Sequence, residues 1–164
     1  MRSGTAMIVA GWLLLAGMIW WGFNQYLNPN AGLKASVSGE VVLKRGPDGH
    51  YRAPGEINGM PVNFLVDTGA TTVAIPESLA WQLGLERGAA LRVHTANGDA
   101  VAYASRLQQV GLGGAMAYNV AANIVPGMAG DEALLGMSFL KRFDIAMRGN
   151  ELRIRAQLPS PPQL

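Results

Sequence analysis

Phe64-Leu65-Val66-Asp67-Thr68-Gly69-Ala70 is the stretch that decides how the rest of the chain is read. Three large apolar residues lead straight into a carboxylate, and small residues follow it. A continuous apolar run of this kind is expected of a strand buried on both faces. The residues after Asp67 suit a crowded turn: Gly69 lets the backbone approach the carboxylate closely enough for an N–H to donate to it. An aspartate that merely caps its own turn would give the same local sequence. The surroundings therefore have to separate a structural turn from a chemical one.

Upstream, Tyr51 to Ile57 and Met60 to Val66 flank Asn58-Gly59, the strongest short hairpin signal a sequence carries. Before them, Glu40 to Arg45 is a short β-branched run closed by Gly46-Pro47-Asp48-Gly49. Downstream, Thr71 to Ile75 reads as strand. Pro76-Glu77-Ser78 then opens a short helix that Gly84 stops. Leu91 to Thr95 and Ala100 to Leu107 predict a second hairpin around Asn97-Gly98. Val110 to Leu112 and Ala117 to Val125 continue the strands across Gly113-Gly114. Leu134-Leu135-Gly136 leads into a helical segment ending near Phe143. Asp144 to Arg148 and Glu151 to Arg155 form a last hairpin around Gly149-Asn150. Strands dominate without βαβ alternation, so the expected class is all-β with two short helices.

The chain has 164 residues, 49% of them hydrophobic and 15% charged, with a net charge of +2. The apolar excess is concentrated between Ala6 and Phe23, which hold no charged residue and three of the four tryptophans. As a helix this run spans about 27 Å, just enough with its flanks for a hydrocarbon core. Trp20, Trp21 and Tyr26 stand at its exit, where amphipathic rings favour the headgroup level. A cleaved signal peptide and a buried core helix are the competing readings. The run is long for the first and lacks a small-residue cleavage site, and it lacks the polar periodicity of the second. The expected layout is a transmembrane anchor at 6–23, a linker at 24–39, a β domain at 40–158 and a disordered tail at 159–164. Arg2 before the run, against a first later basic residue at Lys34, favours a cytoplasmic N-terminus and a domain on the far side.

Beyond the anchor the basic and acidic residues are interspersed and nearly balanced, which argues against nucleic acid as a partner. Cysteine is absent, so there is no thiol nucleophile and no zinc ribbon. His50 and His94 lie far apart, so no metal site is expected. No cofactor is expected either.

The chain resembles the retropepsin-like aspartic peptidases, whose Asp-Thr-Gly-Ala turn follows apolar residues as Asp67 to Ala70 do here. The resemblance implies an acid-protease fold with a flap hairpin, supplied by Arg92 to Arg106, its tip at Ala96, Asn97, Gly98 and Asp99. It also implies a second apolar-Gly element before a second helix, supplied by Leu134, Leu135 and Gly136. The order holds from about Val41 to Arg155. The anchored layout is similar to the membrane-tethered bacterial members of the group, which implies a single-pass protein of the bacterial inner membrane with a periplasmic peptidase domain. The stretch from Leu135 to Arg142 is also similar to the retropepsin domain of eukaryotic ubiquitin-shuttle proteins.

The implied activity is peptide hydrolysis with Asp67 as the catalytic residue and Thr68, Gly69 and Ala70 shaping its turn. Such hydrolysis needs one base to activate water and one acid to protonate the leaving amine. Two carboxylates about 3 Å apart cannot both ionise and hold one proton between them, an arrangement for which aspartic proteases are the standing example. The sequence has one Asp-Thr-Gly; Asp131 and Asp144 are not followed by Thr or Ser and Gly. The second carboxylate must then come from Asp67 of another copy in a homodimer, with Thr68 bonding across the pair as the resemblance implies. The expected partners are a second copy, a protein or peptide substrate, and the membrane. The alternative is a catalytically silent domain of the same fold that dimerises or binds peptides at the membrane.

Other motifs lead nowhere. Gly111-Leu112-Gly113-Gly114 starts like a dinucleotide loop, but Met116 stands where the last glycine is needed. Gly136 to Leu140 mimics a nucleophile elbow, yet Leu140 replaces its glycine. His94 reads as a solvated side chain, Trp81 as core or core edge, and Lys141-Arg142 as a pair that suits a helix C-terminus without needing a partner.

Overall fold

The structure is a computed structural model and describes residues 3–33, 39–95 and 98–156. Helix α1 (Ser3–Leu27) comes first, followed by β1 (Val41–Lys44), β2 (Tyr51–Ile57), β3 (Met60–Val66), β4 (Val73–Pro76) and α2 (Glu77–Gln82). Then come β5 (Ala90–Thr95), β6 (Gly98–Leu112), β7 (Ala115–Val125), β8 (Glu132–Leu135), α3 (Met137–Leu140), β9 (Phe143–Arg148) and β10 (Glu151–Ala156). After α1 the class is all-β with two short helices, as the turn spacing predicts.

Turn chemistry sets the local pairings. Asn58 and Gly59 both take positive φ, 51° and 80°, as a tight two-residue hairpin loop requires, and β2 and β3 pair from Ile57↔Met60 to Tyr51↔Val66. Gly113-Gly114 joins β6 to β7 with Leu112 facing Ala115. The two strands predicted at 100–107 and 110–112 are one, because Gln108 and Gln109 continue the extended chain between them. Strands β5 and β6 pair antiparallel from Ala90↔Tyr103 to Thr95↔Gly98, as the expected second hairpin requires. Ala96 and Asn97 lie outside the described residues, as do 34–38 of the expected linker and the tail at 159–164.

The larger sheet has the order β2-β3-β8-β4-β7-β6-β5. Strand β2 also pairs with β6 through Glu56↔Gly111 and Ile57↔Val110, so β2, β3, β8, β4, β7 and β6 close into a ring. Closure depends on Gly55: a Cβ there would lie 2.4 Å from the carbonyl oxygen of Gly111. Ile57, Phe64, Ile75, Leu107, Leu112, Ile124 and Leu135 fill the interior and are fully buried. A smaller sheet, β1-β10-β9, buries Val41, Leu43, Leu152 and Ile154 against it.

Three expectations need correction. Strand β3 is not buried on both faces throughout, since Leu65 is only half-buried between buried Phe64 and Val66. Trp81 is not core: α2 turns it outward and leaves it 84% exposed, while Leu79 and Ala80 take the inner face. Arg142 does not stand alone at a helix end. Its guanidinium donates to the carbonyl oxygens of Tyr118, Asn119 (3.0 Å) and Ser138 (3.1 Å), pinning α3 to β7.

Helix α1 extends beyond the expected span, and its large apolar residues, from Met7 to Leu27, are exposed along the whole helix. None of the span from Ala6 to Leu27 is buried inside the molecule, which excludes the core-helix reading. By length and composition it is a membrane span or a signal sequence.

Candidate active site

Asp67 sits where β3 ends and a six-residue turn to β4 begins. Strands β3 and β4 are not paired with each other, because β8 runs between them. It lies parallel to β3 through Leu65↔Leu134 and Val66↔Leu135, and meets β4 at Ala74↔Leu134. The turn from Asp67 to Thr72 therefore arches over the end of β8, and the second apolar-Gly element lies directly beneath the first motif. The sequence separates them by more than sixty residues; the sheet makes them neighbours.

The turn is held at each step. The Asp67 N–H donates to the Leu135 carbonyl oxygen at 3.2 Å, and the Ala70 N–H donates to the Asp67 carbonyl oxygen at 3.3 Å. The Gly69 N–H donates to Oδ1 of Asp67 at 2.8 Å, as the small residue after the carboxylate predicts. Beyond Gly136 the N–H groups of Met137 and Ser138 donate to the carbonyl oxygens of Ala70 (2.8 Å) and Thr72's neighbour Thr71 (2.9 Å). The first turn of α3 thus supplies donors to carbonyl oxygens that the Asp67 turn would otherwise leave unmet.

Ser138 was legible only as part of a failed elbow motif, yet it is the bolt of this assembly. Buried at 8% exposure, its hydroxyl donates to the Ala121 carbonyl oxygen at 2.7 Å and accepts the Val73 N–H at 3.1 Å. One side chain on α3 thereby ties β4 to β7. The only signal in the sequence is a small hydroxyl residue two positions after a helix-opening glycine.

Asp67 and Ala70 are half-buried, whereas Thr68 and Gly69 are exposed. A carboxylate oriented by one backbone N–H on an open turn can accept a proton, donate one when protonated, or polarise a water. On the β5–β6 hairpin, Asp99 pairs across the strands with His94 and lies 4.0 Å from Arg92. His94 is solvated, as expected, but it is paired. Among the described residues no group of three His, Asp or Glu side chains could hold a metal ion.

Residues 53–142 match the family model described as gag-polyprotein putative aspartyl protease. Among curated proteins, an uncharacterized protein encoded in the cobV 5' region of a Sinorhizobium species is 36% identical over 120 residues, covering 71% of this chain and 52% of its own length. An uncharacterized protein of Rickettsia prowazekii (strain Madrid E) is 33% identical over 108 residues, covering 64% and 46%. The chain thus spans about half the length of the curated relatives it matches. Among solved structures, a retropepsin-like aspartic protease from Rickettsia conorii superposes with a TM-score of 0.59 at 28% identity, covering 72% of this chain and 90% of that one.

Proposed function

The chain belongs to the gag-polyprotein putative aspartyl protease family and has the retropepsin-like fold, and from that premise we propose that it is a membrane-tethered aspartic endopeptidase working as a homodimer. Asp67 is the catalytic residue. The observation that carries this reading is the oriented carboxylate: Oδ1 of Asp67 accepts the Gly69 N–H at 2.8 Å on a turn that β8 and α3 brace from below.

One chain offers one such carboxylate, so the second comes from the same residue of a second copy. Exposed Thr68 and Gly69 are available to face that copy. With two carboxylates sharing a proton, the ionised one takes a proton from the attacking water while the protonated one donates to the leaving amide nitrogen. The substrate is an extended peptide, held by main-chain hydrogen bonds beneath the β5–β6 hairpin as flap, with Gly98 and Asp99 near its tip. The exposed apolar length of α1 supports its reading as the anchor, with the peptidase domain on the periplasmic side of a bacterial inner membrane. Two anchors in one bilayer raise the effective concentration of the dimer.

Mixing decides it. The full chain in detergent is assayed on a peptide library from acid to neutral pH, alone and after subunit exchange with increasing Asp67→Asn protein. A shared dyad predicts that activity falls as the square of the wild-type fraction, since a mixed pair has one working carboxylate. A linear fall, or equal activity in both proteins, would sink the dyad.

A further inference from the structure

Residues 24–39 read as a linker, yet Asn30 and Leu33 within it are tied to the domain. Among the described residues the buried polar side chains are Ser138, already placed, and Asn30, 6% exposed. The Asn30 amide is fully engaged: Nδ2 donates to the carbonyl oxygens of Lys44 and Arg52, each at 2.8 Å, and Oδ1 accepts the Lys44 N–H at 2.8 Å. Lys44 ends β1 in the small sheet and Arg52 lies in β2 of the ring, so one side chain joins the two sheets and fastens the incoming chain to both. Leu33, whose N–H donates to the Asn30 carbonyl oxygen at 2.9 Å, packs against the core as a second contact.

On its other side Asn30 is almost continuous with the apolar helix. Helix α1 ends at Leu27, and the Asn28 N–H still donates to the Asn24 carbonyl oxygen at 3.0 Å. Only Pro29 lies between that helical bond and the clamp. The clamp is also close to the site, because Arg52 pairs with Leu65, two residues before Asp67. Adding the extended reach of three residues, one side-chain bridge, one strand spacing and two strand residues puts Asp67 within about 30 Å of the end of α1.

We infer that Asn30 is a positioning residue: it docks the anchor helix on the peptidase domain and holds the Asp67 turn at a fixed short height above the bilayer. Cleavage is thereby restricted to peptide bonds presented near the membrane surface. This rests on the reading of α1 as an anchor and Asp67 as catalytic. A domain on a loose stalk would sweep a deep shell of solvent; a docked one reaches only the layer next to the lipid.

The chain has no cysteine, so paired spin labels can be placed cleanly at Gln25→Cys and Gln108→Cys in the full chain reconstituted in vesicles. With the labelled chain diluted in excess unlabelled chain, so that only pairs within one chain are read, docking predicts one narrow label-to-label distance, broadened by Asn30→Ala and by twenty Gly-Ser residues inserted between Leu27 and Asn28. A broad distribution in the parent chain overturns the proposal. The height limit is read with two membrane-anchored reporters carrying the same cleavable peptide on rigid helical spacers of about 10 and 60 Å. The parent chain should cut the near reporter at least tenfold faster, and the insertion variant should cut both within about threefold, with free-peptide cleavage unchanged. Retention of the near preference by the insertion variant overturns the proposal. If even free peptide is uncut, the peptidase reading fails and the distance measurement still decides the docking.

Discussion

A Cβ placed on Gly136 would lie 2.2 Å from the carbonyl oxygen of Thr72 and 2.6 Å from that of Ala70. The second apolar-Gly element needs its glycine because the backbone of the Asp67 turn passes directly over it. Both obstacles are backbone atoms, which cannot step aside as a flexible side chain would. Gly136→Ala should therefore cost about 2–3 kcal/mol or more of stability and lower peptide cleavage further by moving Asp67. Thermal melts with and without the substitution check the first part; a variant as stable as the parent would show that β8 and the turn are not in contact.

Ser138→Ala removes a hydroxyl that serves one donor and one acceptor inside the fold. The Val73 N–H and the Ala121 carbonyl oxygen lose their partner together. An expected loss of about 2 kcal/mol follows from leaving buried groups unmet. Denaturant titration measures it, and a change under about 0.5 kcal/mol would mean that water replaces the hydroxyl.

Acid acts on a different pair. The side-chain hydrogen bond from Arg52 holds the Asp48 carboxyl below its ordinary value, against a burial penalty and with help from the His50 N–H. A folded value below the unfolded one means that this contribution is full above about pH 4 and is lost as pH falls through the folded value. Arg52 also bonds Glu132 at 3.0 Å, so the pair links the turn before β2 to β8. Asp48 is exposed and Arg52 only partly buried, so the contribution is below about 1 kcal/mol. Asp48→Asn should melt slightly earlier than the parent at pH 6, and the gap should narrow as pH falls below about 4. Parallel melting curves from pH 3 to 7 would remove Asp48 from the account.

Trp81 gives the contrasting case. With 84% of its surface open, Trp81→Gln should change stability by no more than about 0.5 kcal/mol. A loss of 2 kcal/mol or more in a melt of the full chain would show that the indole is covered by something the single chain does not display.

Much of the fold was legible because its signals are local. Asn58-Gly59, Gly113-Gly114 and Gly149-Asn150 each define a turn by backbone conformation alone, and the strands beside them follow. The Asp67 turn was legible for the same reason, since a carboxylate followed by Thr-Gly-Ala states its own geometry. Trp81 failed because apolar character does not say which side of a short helix meets the core. Arg142 failed because its acceptors, Tyr118 and Asn119, lie over twenty residues away on a strand whose course the local sequence does not announce.

The sequence by itself determined the apolar helix, the order of the strands and the one Asp-Thr-Gly, because each depends on residues adjacent in the chain. Only the tertiary structure decided that β8 enters between β3 and β4, that Ser138 bolts the Asp67 turn in place and that Asn30 fastens the helix to the domain. Each of these pairs groups far apart in sequence. Which backbone donors and acceptors remain to be met is settled only when the sheet closes.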